Sequence, residues 1–203
     1  MVLERVGSNM RIIIQEPDMD RLISAYRLLQ TEPGPKVFRE LEELAELGSL
    51  SSMVYLGCAY QHGMGTEKDM SAAETWFRRG YDSGSKLALY YLGHLYLAKK
   101  EYDNAEVVFV SGMKINYSPA IFCLGCMYLE GTGVIKQPDQ ARILFEKASG
   151  LGHVFAKRFL AKMYLSGRYG IFFFLKGVLL LVGAMKDFLV IAKSDPDSDL
   201  LRT

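Results

Sequence analysis

Residues 86–128 read KLALYYLGHLYLAKKEYDNAEVVFVSGMKINYSPAIFCLGCMY. This stretch opens and closes on the same word, Leu-Gly-x-x-Tyr, at Leu92-Gly93-Tyr96 and Leu124-Gly125-Tyr128. Ala88, Leu92 and Tyr96 fall at i, i+4 and i+8, one stripe of a helix. Ala105 and Phe109 form a second word, Ala-x-x-x-Phe, on a second helix. Asn116 follows where that helix ends, a residue type that tolerates the left-handed conformation. The stretch therefore predicts a helix, a turn, a second helix and a return to the first.

Outside this stretch the same words recur in register. Leu56-Gly57-Tyr60 precedes it, and Leu160-Ala161-Tyr164 follows with alanine for glycine. The tyrosines are 36, 32 and 36 residues apart. Ala73/Phe77 and Ala141/Phe145 repeat the second word, and Gly84 and Gly152 take the place of Asn116. Gly63-Met64-Gly65 and Gly131-Thr132-Gly133 begin an extended turn in the first and third units. The second unit reads Ala98-Lys99-Lys100-Glu101-Tyr102 there and is four residues shorter, which accounts for the spacing of 32. A two-helix unit cannot bury its apolar face alone, so the units are expected to stack as a solenoid. Gly48 and Ser52 carry the register upstream, with Val37–Leu47 as a preceding second helix and Met19–Gln30 as its partner.

The Leu-Gly-x-x-Tyr word, the Gly-x-Gly turn, the Ala-x-x-x-Phe word and the 36-residue period resemble the Sel1-like repeats, close relatives of tetratricopeptide repeats. The resemblance implies an all-α fold, an α-solenoid of stacked helix-turn-helix repeats in a right-handed superhelix. It implies adaptors and scaffolds, often in bacterial envelope, exopolysaccharide or secretion-linked processes, and brings no catalytic residues. The predicted organisation is an irregular segment over 1–17, the solenoid over 18–165, an apolar helical segment over 166–192 and a mobile tail over 193–203.

Composition agrees with a globular chain. Lys and Arg number 24 against 23 Asp and Glu over 203 residues, which argues against a nucleic-acid partner. Half the residues are hydrophobic, which excludes wholesale disorder. Three cysteines cannot pair completely and suit a reducing compartment. The apolar run near the start, Ile12–Ile14, is far below the roughly 7–15 residues of a secretory signal, so a cytoplasmic location is expected.

Solenoids bind partners on the face lined by the first helix of each unit. With Leu92 inward, Tyr90, His94 and Leu97 lie opposite, at 100° per residue. The equivalent positions are Val54, Cys58 and Gln61, then Phe122, Cys126 and Leu129, then Arg158 and Lys162. They predict a peptide or protein groove, or else packing between neighbouring helices. Cys123-Leu-Gly-Cys126 reads as packing cysteines, because it lies inside a helix and not at the strand-to-helix turn of a redox site. His62, His94 and His153 have no metal spacing between them, so no metal, cofactor or catalytic group is expected.

The last apolar run, Ile171–Ala192, projects as the second helix of a fourth unit, with Gly177 in the place of Ala73. A terminal helix should be polar outside, yet this one is apolar nearly all round. Phe172, Phe173, Phe174, Val178, Val182, Met185 and Phe188 are therefore predicted to meet a cover. Three covers fit such a helix: the inner membrane, a homodimer, in which case the protein is a structural subunit, or a dedicated partner.

Overall fold

The computed structural model describes residues 2–6, 9–13, 16–167 and 169–194, with side chains from Glu16 onward. The chain divides into two compact units, 1–92 and 93–203, with the boundary inside one helix.

In the first unit, β1 (Val2–Val6) and β2 (Asn9–Ile13) pair antiparallel, with Val2 opposite Ile13 and Val6 opposite Asn9. The sequence predicts an irregular segment here. The five-residue strands are short, and no helical repeat marks them. Four helices follow: α1 (Met19–Thr31), α2 (Pro35–Glu46), α3 (Leu50–His62) and α4 (Met70–Asp82). Local chemistry sets their starts. Asp18 accepts from the Arg21 amide at 3.0 Å, Pro35 occupies the first turn of α2, and Asp69 accepts from the Ser71 and Ala72 amides. Ser49 caps α3, and the Glu16 carboxylate accepts from the Ser51 amide and hydroxyl at 3.1 and 2.6 Å. A carboxylate at a helix N-terminus meets unpaired amides and the positive end of the dipole. Leu22, Leu29, Leu41, Leu44 and Leu56 form the core of this unit, with Trp76 packed against it.

The boundary falls within α5 (Lys86–Lys99), between Leu92 and Gly93. The second unit continues with α6 (Tyr102–Lys114), α7 (Ser118–Glu130), α8 (Pro138–Gly150), α9 (Val154–Leu165) and α10 (Ile171–Ser194). The position after the second helix of each pair holds a positive φ: 94° at Gly48, 91° at Gly84, 54° at Asn116 and 90° at Gly152. A cap residue follows each time. Ser49, Ser85 and His153 each accept from the amide three residues on, and Tyr117 stands at the equivalent position. His153 is buried and serves as this cap through Nδ1, 3.2 Å from the Ala156 nitrogen.

The two repeated words meet in the packing. A Cβ built on Gly57 would lie 2.4 Å from the Phe77 ring, one on Gly93 2.4 Å from Phe109, and one on Gly125 2.7 Å from Phe145. Glycine in the first word is thus the seat for the phenylalanine of the second. The fourth pair replaces both members together. Ala161 stands for glycine, and Leu181, 37% exposed, stands for phenylalanine. The close approach moves to α10, where a Cβ on Gly177 would meet Tyr164 at 3.0 Å and the Ala161 carbonyl at 3.1 Å.

The expected tail over 193–203 begins inside α10 at Lys193 and Ser194; its remainder lies outside the described residues.

Candidate functional site

In the second unit, the C-terminal half of α5 and helix α7 enclose a cleft of about 210 Å³. His94 and Leu97 come from α5, and Phe122, Cys123, Cys126 and Met127 from α7. Glu130 and Thr132 stand where α7 ends at Gly131, whose φ is 80°. The two helices are the first members of successive pairs, so the repeat itself brings the cleft walls together. The His94 Nε2 lies 3.4 Å from the Cys123 Sγ, and the His94 ring meets Phe109 edge-on at 5.9 Å. Burial holds the His94 imidazole below its ordinary value. A mostly apolar wall with one imidazole, one carboxylate and one hydroxyl at its margins is suited to an apolar side chain carried by a polar backbone.

The sequence-predicted face divides by depth. His94, Leu97, Phe122 and Cys126 come together in the cleft. Phe122 is buried beneath it, 5.6 Å from Phe145, 5.3 Å from Phe159 and 4.7 Å from the His153 ring. Val54 and Tyr90 are also buried, in the first unit, with Tyr90 edge-on to Tyr91 at 5.6 Å. The side chains of these three fill space between helices. Cys58, Gln61 and Leu129 are half-buried, and Arg158 and Lys162 are exposed. Cys123, Met127, Glu130 and Thr132 join the cleft without being predicted from the sequence. Cys123 and Met127 are one position beyond Phe122 and Cys126, the next stripe of α7, and a wheel drawn for one helix does not show a wall shared by two.

Cys123 and Cys126 are free thiols. Burial pushes the Cys123 thiol far above its ordinary range. Burial and then the Glu130 charge push Cys126 up to about 12. A thiolate is the attacking species, so both are poor nucleophiles at neutral pH. Native protein at pH 8 is expected to alkylate at these two positions about a thousandfold more slowly than the unfolded chain, read by mass spectrometry. Rapid labelling of either thiol refutes the buried, electrostatically suppressed pair. Among the described residues, no group of three or more His, Cys, Asp or Glu is placed to hold a metal ion.

The second apolar surface lies on α10. Gly177 and Ala184 are buried against the rest of the unit, and Phe173 packs inward on Tyr164 at 5.0 Å. Phe173 therefore leaves the set predicted to meet a cover. Phe172, Phe174, Val178, Val182, Met185 and Phe188 remain exposed, Phe172 by 75%. No described helix is long and apolar enough to cross a membrane.

The sequence profile of the Sel1 repeat matches residues 50–85 and 118–153. A sel1-like repeat-containing protein of Acanthamoeba polyphaga mimivirus is 25% identical over 134 residues, 66% of this chain, and the chain spans a quarter of that relative's length. Among solved structures, a Sel1 repeat protein from Oxalobacter formigenes matches with a TM-score of 0.59 at 26% identity, covering 81% of this chain and 74% of that one. A protective antigen of uropathogenic Escherichia coli displaying an SLR fold matches with a TM-score of 0.58 at 23% identity, covering 78% and 37%. The matched segments each begin at a first helix and end just past the left-handed glycine, so the profile and the packing delimit the same unit. The chain carries two Sel1 repeats, at residues 50–85 and 118–153, and is similar to Sel1-like repeat proteins.

Proposed function

We propose that this protein is a non-enzymatic adaptor that holds a peptide or protein segment in the cleft between α5 and α7 and is attached to a membrane surface through α10. Sel1 repeats are typically protein-protein interaction scaffolds. The observation that carries the reading is the half-buried rim of His94, Leu97 and Cys126 over a buried aromatic floor. Such a rim accepts side chains without refolding, and the packed floor keeps its shape. The thiols sit in an environment that suppresses their reactivity, so the pair supports recognition and not redox chemistry.

Selection of displayed peptides against the purified full chain tests the cleft. Enriched peptides should share a spaced apolar motif. They should bind the Leu97→Asp variant at least tenfold more weakly, with the unfolding midpoint little changed because Leu97 is only half-buried. Peptides that bind the variant equally well would place recognition elsewhere and sink the cleft reading.

A further inference from the structure

We propose that α10 lies flat on an anionic lipid surface, its apolar face at the level of the acyl chains and the cations of α9 and α10 on the lipid phosphates. This rests on the attachment reading of α10 and names its partner; it is independent of the cleft.

Charge is the first ground. From Val154 to Ser194 the sequence holds seven Lys and Arg against one acid, Asp187, whereas the rest of the chain holds 17 against 22. Asp187 is already bonded to the Lys157 ammonium. The described part of α9 and α10 therefore carries cations with no uncommitted carboxylate. Acids return only in the sequence past Ser194, at Asp195, Asp197 and Asp199. Arg158 and Lys162, four residues apart, form one exposed row on α9, and Lys176, Lys186 and Lys193 are exposed on α10. A second copy would bring the same cations against themselves, which penalises self-pairing. An anionic leaflet supplies the missing counter-charge.

Geometry is the second. The 24 residues of α10 extend about 36 Å at 1.5 Å per residue. The stripe Phe173, Gly177, Leu180, Ala184, Asp187 and Ile191 is buried or half-buried, and the opposite side exposes Ile171, Leu175, Leu179 and Val182 by 59–75%. A helix crossing the bilayer would have to leave α9, unpacking Gly177 and Ala184 and taking Asp187 from Lys157. A helix lying in the interface keeps all three. Between α9 and α10 a cleft of about 280 Å³ is lined by Val154, Phe155, Met185 and Phe188 among others, with Arg158 its one charged side chain. The Arg158 guanidinium lies 5.4 Å from the Phe155 ring centre, over an apolar recess open to an acyl chain. Lysines on such a helix extend their ammonium groups to the headgroups along apolar stems.

The test is co-sedimentation of the full chain with phosphatidylcholine vesicles, with or without phosphatidylglycerol, at low and high salt, alongside light scattering. The expected result is a monomer that binds the mixed vesicles at least tenfold better, less so at high salt. Arg158→Gln with Lys162→Gln should weaken binding by about fivefold per cation, and Leu179→Ser with Val182→Ser should weaken it further, with circular dichroism unchanged. Equal binding to both vesicle types would overturn the anionic recognition and leave attachment standing. A dimer that ignores vesicles would overturn both and make α10 a self-interface. A monomer that ignores vesicles would overturn both as well.

Discussion

Phe145→Ala should lower the stability of the second unit by about 3–5 kcal/mol, measured by urea denaturation. Phe145 is fully buried, and its ring lies 5.6 Å from Phe122 and 5.5 Å from Phe159. Truncation removes a ring from a ladder that has no spare side chain to close the gap, so the cost includes the cavity as well as the lost transfer energy. The same ring sits on Gly125, where a Cβ would lie 2.7 Å from Cε1 and 2.9 Å from Cδ1. Gly125→Ala therefore gains about 1 kcal/mol of helix propensity but loses about 1–3 kcal/mol or more by overpacking, for a net loss. With Phe145→Leu already present, Gly125→Ala should cost much less, because the ring that excluded the methyl is gone. A double-mutant cycle reads this coupling directly. Additive effects would refute the glycine as a seat for the ring.

That reciprocity explains how much of the fold is legible in the residues and where legibility stops. Leu-Gly-x-x-Tyr and Ala-x-x-x-Phe are readable because each word is one half of a single contact, Gly57 with Phe77, Gly93 with Phe109 and Gly125 with Phe145. The contact also accounts for the departure at Ala161, where the opposing position holds Leu181 and no ring needs seating. The strands at Val2–Val6 and Asn9–Ile13 escape the reading because a single hairpin has no second copy to reveal its register. The cleft is legible only in part. His94, Leu97 and Cys126 follow from one helical wheel, but Cys123, Met127, Glu130 and Thr132 join only when α7 is placed against α5. The apolar outer side of α10 is legible apart from Phe173, since a helix apolar nearly all round holds more apolar residues than one packed face can bury.

Phe122→Ala should cost about 3–5 kcal/mol as well, and this decides how binding at the cleft is to be measured. From the helical wheel alone, Phe122 and Tyr90 belong either to an outward aromatic face, whose truncation would abolish partner capture with the melting temperature nearly unchanged, or to the packing between neighbouring helices. Their burial favours the second. Phe122 is 4% exposed and lies against the His153 ring at 4.7 Å and 25°, against Phe159 edge-on, and against Phe145. Its ring is both the floor of the cleft and part of the core that holds α8 and α9 in place. Because His153 caps α9, losing its stacking partner loosens that cap and should compound the cavity cost. In thermal denaturation Phe122→Ala should therefore melt well below the parent protein, and loss of peptide binding in it would report unfolding together with recognition. Leu97→Asp, on the rim, separates the two. An unchanged melting temperature in Phe122→Ala would show that the ring is dispensable to packing, and would return Phe122 to the set of residues that meet the partner alone.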